Sequence, residues 1–381
     1  MRKIQLILTF VFLINHIGLI AQQNFKIKAR VFGPSKDYIL QNRDTGNIVL
    51  GFPCIRFDNL NGFGLQLISG HSFGQINGAN ISGIYNIARG GVNGFNLAGF
   101  STYAQKYMSG ASFAGGFNVL YGDMKGFKLA GIANFNIGQA HGFQLAGITN
   151  FNAENLNGLQ LSALSNVNGG TLKGAQVSGF LNVSMGNMNG FQIGITNYAR
   201  RVKGFQLGII NVSGRSVQGL QLGVINYAYD TARVQLGLIN MNPKTKISGV
   251  IYGGTMTAIN FGIRFRNKYT FSILSIGYPY DDSLAEYSGA FSYRTGLYYD
   301  YKRFTFSADL GYSHINLVSS KEHEEKVPDA LWSVQARGNV GFRICKYLGV
   351  FASGGYEYTA RYGTFACFRR EPIFEFGVSL F

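Results

Sequence analysis

Apolar and polar positions alternate in short runs that recur at a fixed spacing through the middle of the chain, residues 62–240. Residues 142–150 read GFQLAGITN, and the next copy, GLQLSALSN, begins at Gly158. The leading glycines recur every sixteen residues from Gly62 to Gly190, and the later steps shorten to fourteen or fifteen. A fixed period of this kind is typical of a chain that stacks one structural unit on the next.

The pattern within each unit predicts β-strands. Phe143, Leu145 and Ile148 are β-compatible, the runs are too short for helices, and each unit contains a helix-breaking glycine. Stacking such units in register places neighbouring strands about 4.8 Å apart and superposes equivalent side chains. We therefore predict a parallel β-solenoid of 14 to 16-residue repeats in which the Phe, Leu and Ile columns form an apolar spine.

Two further columns carry amide side chains. Because an amide both donates and accepts hydrogen bonds, the Asn that ends each unit is predicted to form a structural ladder along the stack. The ladder comprises Asn134, Asn150, Asn166, Asn182, Asn197, Asn211, Asn226 and Asn240. The Gln that follows the aromatic residue is predicted to face outward, either as a solvated face or as a binding face for carbohydrate or peptide. This candidate binding face comprises Gln144, Gln160, Gln176, Gln192, Gln206, Gln221 and Gln235.

A competing interpretation makes each unit one antiparallel strand of a large membrane barrel. Such strands run about 9 to 11 residues with apolar and polar positions alternating strictly. The alternation holds from Phe143 to Ala146, but Gly147 and Ile148 interrupt it. The interruption favours the solenoid.

Composition divides the chain into four regions. Residues 1–21 begin with Arg2 and Lys3, continue as an apolar run and end at a small residue, which is typical of a secretory signal peptide. Residues 22–61 lack the repeat phrase and are predicted to be an N-terminal β cap, since a solenoid needs an atypical end. Residues 62–242 are the solenoid, and residues 243–381 form a separate C-terminal region.

The tandem GxQLGxxN phrase, clearest from Gly190 to Asn240, resembles that of bacterial envelope proteins described as surface-repeat-containing. In that family the repeats precede a β-rich C-terminal part. The resemblance implies an exported repeat protein, and the family carries no agreed biochemical activity.

The C-terminal region changes to longer strands with a clean period of two. Eight candidate strands follow, at 247–256, 257–266, 268–279, 286–302, 303–314, 331–345, 346–359 and 372–381. Short and long connections alternate, as in an outer-membrane barrel with short periplasmic turns, so the region is predicted to be an antiparallel, eight-stranded membrane β-barrel. The terminal aromatic Phe381 resembles a barrel-assembly signal. The solenoid would then enter strand one from the periplasm.

Barrels of this size are filled by their own side chains. The inward charges are predicted to pair inside the barrel as a structural network. They comprise Arg264, Arg294, Arg337, Arg343, Asp300, Asp309 and Glu357.

Charge and motifs limit the functional classes. The formal net charge is +16, but it is spread thinly, which is unlike a nucleic-acid footprint. The repeats hold ten Lys and Arg against three Asp and Glu, which excludes a calcium-loaded β-roll. HExxH, P-loop and Cys/His zinc spacings are absent, so we expect no enzyme, no cofactor and no metal site.

These observations predict a non-enzymatic outer-membrane protein whose repeats are structural, adhesive or partner-binding. The expected partners are outer-membrane lipid, lipopolysaccharide or another glycan, and an envelope protein, with no nucleic acid. The alternative is a transport protein in which repeats and C-terminal strands close one large barrel.

Overall fold

The computed structural model describes residues 26–31, 45–279, 287–318, 330–362 and 367–381. The predicted signal peptide lies outside the described residues, as does most of the predicted cap. The chain divides into two compact units, Met1–Ser184 and Met185–Phe381. The first contains most of the solenoid, and the second contains its last coils and the whole barrel.

The first unit is built from strands that alternate along the chain, so that a typical repeat contributes one longer strand and one short strand. They are β1 (Ile27–Val31), β2 (Thr45–Phe52), β3 (Cys54–Phe57), β4 (Asn59–Gln66), β5 (Ser69–Ser72), β6 (Ile76–Ser82), β7 (Tyr85–Ala88), β8 (Val92–Ala98), β9 (Ser101–Ala104), β10 (Tyr107–Ala114), β11 (Phe117–Leu120), β12 (Asp123–Ala130), β13 (Ala133–Asn136), β14 (Ala140–Ala146), β15 (Thr149–Asn152), β16 (Leu156–Ser162), β17 (Ser165–Asn168) and β18 (Leu172–Ser178). Strand β19 (Leu181–Ile193) crosses the boundary between the units.

Every pairing in this unit is parallel and joins equivalent strands of successive coils. The longer strand β12 pairs with β14, so that Gly126 faces Gly142. The short strand β13 pairs with β15, so that Asn134 faces Asn150. The predicted parallel solenoid is confirmed. It also begins earlier than the repeat phrase, because β2 already pairs with β4, and residues 45–61 therefore belong to the solenoid and not to a cap.

The interior of the solenoid combines amide columns with an apolar column that contains Met124, Leu156 and Leu172, so the predicted spine of Phe, Leu and Ile columns is wrong. Gln144, Ala146 and Asn150 are buried, whereas Phe143 is only partly buried and Ile148 is 45% exposed. The alternation of the strand is as expected, but its two faces are exchanged. The interior takes amide side chains, small side chains and the apolar residue two positions before each leading glycine, whereas the Phe and Ile columns of the repeat phrase point outward.

The leading glycine of each unit lies within the longer strand, at a point where successive coils approach closely. Gly142 has φ 131°, a conformation that side-chain-bearing residues rarely adopt. A Cβ atom at this position would lie 2.0 Å from the carbonyl oxygen of Gly126 in the coil below. Both constraints explain why glycine recurs at this position.

The second unit opens with coils that are one to two residues shorter. Their strands are β20 (Thr196–Leu207), β21 (Ile210–Ser213), β22 (Val217–Leu222), β23 (Ile225–Ala228), β24 (Ala232–Leu236) and β25 (Ile239–Met241). The pairings remain parallel, and Asn211 faces Asn226 in the register of β21 and β23.

Eight long antiparallel strands complete the second unit. They are β26 (Lys246–Gly254), β27 (Thr257–Arg266), β28 (Thr270–Pro279), β29 (Tyr287–Tyr301), β30 (Phe304–Val318), β31 (Ala330–Arg343), β32 (Leu348–Arg361) and β33 (Cys367–Leu380). Strand β26 pairs with β33, which closes the barrel. The predicted eight-stranded barrel is confirmed. Because the barrel closes on itself and the repeats run parallel, the alternative of one large barrel is wrong.

Replacing Gly142 by Ala is expected to destabilise the first unit by about 2 kcal/mol, because the new methyl group meets backbone and φ is unfavourable. Urea unfolding followed by circular dichroism measures the loss, and hydrogen exchange should accelerate most in residues 126–158. The neighbouring His141→Ala, at an exposed position of the same strand, is the control. Equal stability of the two variants would contradict this explanation of the glycine column.

Candidate functional site

The Asn column forms a continuous chain of hydrogen bonds within each unit. In the first unit the Nδ2 of Asn134 donates to the Oδ1 of Asn150 at 2.8 Å, and Asn150 donates to Asn166 at 2.9 Å. In the second unit Asn211 donates to Asn226 at 2.9 Å. All eight predicted members of the ladder are buried.

Most of these amides also satisfy a backbone carbonyl oxygen of the neighbouring coil. Asn134 donates its second proton to the carbonyl oxygen of Leu145 at 2.8 Å. A second, shorter Asn column, which the sequence analysis did not single out, runs beside the first. In it Asn136 donates to Asn152 at 2.8 Å, and Asn152 to Asn168 at 2.9 Å. Each member of this second column follows a member of the first by two residues, and residues two apart lie on one face of a strand, so the sequence did contain a signal for it.

The Gln column lies inside the solenoid, and the expectation that it faces outward is wrong. All seven predicted residues, Gln144, Gln160, Gln176, Gln192, Gln206, Gln221 and Gln235, have no exposed surface. Gln160 donates to Gln144 at 2.8 Å, and Gln221 donates to Gln206 at 2.8 Å. Stacking satisfies these amides internally, so burial is possible without water. The column is therefore a third structural ladder and cannot be a binding face.

One lysine replaces glutamine in this interior column. Lys128 is 2% exposed, and its Nζ donates to the Oδ1 of Asn136 at 3.2 Å and to the carbonyl oxygen of Phe135 at 3.4 Å. Burial lowers the pKa of Lys128 to about 7, because removal from water disfavours the ammonium form. The solenoid interior thus contains a group that titrates near neutral pH.

The outer surface of the solenoid carries columns of large apolar side chains. In the first unit the corner residues Ile84, Phe100, Ile148, Leu164 and Phe180 are exposed. In the second unit the equivalent residues are Ile195, Ile209 and Val224. Aromatic rings on the long strands also stack between coils, and the ring centroids of Phe127 and Phe143 are 5.2 Å apart. Contiguous exposed apolar surface of this kind marks a contact surface for protein or membrane.

A compact ionic network fills the interior of the barrel. Arg294, 1% exposed, contacts Asp309 at 2.8 Å and Glu375 at 2.9 Å. Arg337 contacts Asp309 at 3.3 Å, and Asn339 donates to Asp309 at 2.8 Å. Two guanidinium groups therefore face two carboxylates, which is the arrangement that makes buried charge tolerable. The cavity beside the network measures about 50 Å³.

The predicted inward charges separate into different environments. Arg294, Arg337 and Asp309 join the network, and Glu357 is buried elsewhere in the barrel. Asp300 instead pairs with Arg266, which was not predicted. Arg343 lines the cavity beside the network, as expected of an inward position, although it is exposed at the end of β31, and its guanidinium lies 5.9 Å from the ring of Phe381.

Glu375 was also missed by the sequence analysis, although the alternation Phe374, Glu375, Phe376 placed it on the face opposite the phenylalanines. Phe381, the candidate assembly signal, follows the last strand, and its amide nitrogen donates to the carbonyl oxygen of Tyr347 at 3.0 Å.

The three short turns at one end of the barrel each carry a lysine over a tyrosine ring. Lys268 lies 5.0 Å from the ring centroid of Tyr269, and Lys302 lies 5.4 Å from that of Tyr301. Lys346 lies 5.4 Å from that of Tyr347. All three tyrosines are exposed. A girdle of exposed tyrosine with adjacent positive charge is typical of a membrane–water interface.

One hydrolase-like motif occurs in the repeats, where residues 70–74 read GHSFG and match GxSxG. The Oγ of Ser72 is buried and donates to the carbonyl oxygen of Asp58 at 2.8 Å, and the ring of His71 stacks on Phe73. Ser72 lies on the short parallel strand β5, so the strand-to-helix turn that a nucleophile elbow requires is not formed.

Among the described residues, no group of three or more His, Cys, Asp and Glu is placed to hold a metal ion. No helix in the described part of the chain has the length and apolar character needed to cross a membrane.

Comparisons with known proteins identify no family. No protein-family model matches the chain, and no curated protein matches it. Among solved structures, the N-terminal β-barrel domain of Pseudomonas aeruginosa OprF matches 35% of this chain and 93% of its own length. The two are 11% identical with a TM-score of 0.26. Membership of the surface-repeat-containing proteins thus remains a prediction.

Replacing Lys128 by Gln is expected to stabilise the first unit at neutral pH and to remove a pH dependence. The pKa of Lys128 is about 7 in the folded chain and 10.5 in the unfolded chain, so the unfolded chain binds more protons between these values. The free energy of unfolding should therefore rise with pH across this window, by up to about 1.4 kcal/mol per unit.

Urea unfolding at pH 7 and pH 10 measures this rise, and Lys128→Gln should show a smaller one than the unmodified chain. The exposed Lys125→Gln is the matched control and should leave the rise unchanged. An identical pH dependence in all three chains would show that burial does not lower the pKa of Lys128.

Proposed function

We propose that this chain is a non-enzymatic protein of the bacterial outer membrane, in which the barrel is a closed anchor and the solenoid is a rigid structural arm. The observation that carries the proposal is the division of side chains in the barrel. Tyr299 and Phe376 point outward and are 68% and 69% exposed, whereas Arg294 and Glu375 point inward and are each 1% exposed. An apolar outside with a charged inside suits a barrel surrounded by lipid.

The girdle of Lys–Tyr pairs supports the same placement. Tyr269, Tyr301 and Tyr347 all lie at the short-turn end, where the apolar outer surface of the barrel stops. In outer-membrane barrels the short turns face the periplasm. Strand β26 starts at this end, so the last coils of the solenoid would lie on the periplasmic side.

The filled interior favours an anchor over a channel. The Arg294 network crosses between β29, β30, β31 and β33, and the cavity beside it is little larger than one or two water molecules. A solute path would require these buried ion pairs to separate, which typically costs about 3–5 kcal/mol when one partner is lost.

The solenoid would contribute shape and an apolar contact surface. Its amide ladders are internal, so the Gln column is not accessible to a glycan. The exposed columns that contain Ile148 and Ile209 favour an envelope protein with its own apolar surface as the partner.

Expression of the full chain in a Gram-negative host tests the proposal. The chain should fractionate with the outer membrane, resist carbonate extraction, and migrate faster on electrophoresis before boiling than after it. Purified protein in a planar bilayer should show no stable conductance above background. Release by carbonate would contradict the membrane placement, and a wide, stable conductance would contradict the anchor.

A further inference from the structure

The second unit contains a cleft of about 860 Å³ where the last coils meet the short-turn end of the barrel. Its walls come from β24, from the linker before β26, from the turn between β27 and β28, and from the end of β29. The cleft is distinct from the ionic network in the barrel interior.

Hydrogen bonds between amides fix the walls of the cleft. Asn242 donates to the Oδ1 of Asn267 at 2.8 Å, and Asn267 donates to the Oε1 of Gln235 at 3.2 Å. Asn240, the last member of the Asn ladder, donates to the Oγ of Ser272 at 3.2 Å. The two solenoid ladders therefore end on barrel side chains, and the cleft is held open by a defined junction.

The cleft is strongly basic. Five cations line it, namely Arg233, Lys244, Lys246, Arg266 and Lys268, against the single carboxylate of Asp300. That carboxylate is already bonded to Arg266 at 2.5 Å. In the described ranges of the chain, the other four cations form no salt bridge within 4.0 Å of a carboxylate.

Two of these cations face each other directly. Lys246 and Arg266 are register partners across β26 and β27, and like charges in opposed positions destabilise a sheet. Arg266 is 7% exposed, and its guanidinium stacks 3.8 Å from the ring centroid of Tyr298, so it cannot swing away without losing this contact. An anion with several oxygen atoms would neutralise this excess of positive charge.

We propose that this cleft binds the phosphate group of an anionic phospholipid headgroup. The inference rests on the proposed function, because Lys268 belongs both to the cleft and to the Lys–Tyr girdle that marks the membrane surface. A headgroup at that level can reach the cleft while its acyl chains stay beside the apolar outside of the barrel. The bound lipid would fix the junction between the last coils and the barrel to the membrane surface.

Titration of the detergent-solubilised full chain with fluorescent phosphatidylglycerol and with fluorescent phosphatidylcholine tests the proposal. Each lysine near an anionic lipid contributes about fivefold in affinity, so the cleft variant Lys244→Gln/Lys246→Gln should bind phosphatidylglycerol about twenty-five-fold more weakly. The control Lys125→Gln/Lys173→Gln removes the same charge from exposed positions outside both the cleft and the girdle, and should lose less than twofold. Electrophoretic mobility before boiling verifies that each variant is folded.

Three results would overturn the proposal: equal loss in both variants, equal binding of the two lipids by the unmodified chain, and displacement of phosphatidylglycerol by millimolar inorganic phosphate. The last would assign the cleft to a soluble phosphate compound. The chain could fail to fractionate with the outer membrane and yet bind phosphate in a way that depends on the cleft. That combination would refute the proposed function but retain the phosphate chemistry of the cleft. Membrane placement without an effect of the cleft variant would refute this inference alone.

Discussion

Hydrogen bonds between amide side chains of successive coils are the interaction on which the solenoid depends. A buried amide left without a partner costs about 1–3 kcal/mol, so the polar interior is stable only if each ladder is unbroken from coil to coil. Asn150 meets this condition through Asn134, Asn166 and the carbonyl oxygen of Leu161. The strict period of the sequence follows, because a change of register would leave a buried amide unpaired in every ladder.

The same requirement for internal pairing shapes the barrel. Its interior contains Arg294, Arg337, Asp309 and Glu375, which neutralise one another, and its outer surface is apolar. Both parts of the molecule therefore pair buried polar side chains with one another and also present many large apolar side chains outside. In the barrel this arrangement supports the proposed lipid surroundings. In the solenoid the exposed apolar columns support the proposed contact with an envelope protein.

The sequence predicted the strands well and their faces less well, for physical reasons. Strand β27, predicted at 257–266, matches Thr257–Arg266, because alternation and turn residues determine where a strand runs. Alternation alone does not determine which of the two faces of a strand points inward. The Gln column was therefore predicted on the outward face, whereas it lies on the inward face. The small residues Ala146 and Ser162, two positions after Gln144 and Gln160, carried the missing signal, since small side chains mark the narrow interior. The charged cleft depends on pairing between distant strands, which a repeat pattern does not contain.

The central claim is that the amide ladders lie inside the solenoid and the corner column that contains Ile148 lies outside. The reactivity of single cysteines towards a small neutral maleimide tests it most directly. Two variants are made in a chain whose native cysteines are replaced by Ser. Ala146→Cys places its thiol inside the solenoid, and Ile148→Cys places its thiol on the outer surface of the same coil. The thiol at 148 is predicted to react as fast as in the unfolded chain, and the thiol at 146 only after denaturant is added. Rapid reaction at 146 with protection at 148 would contradict the claim.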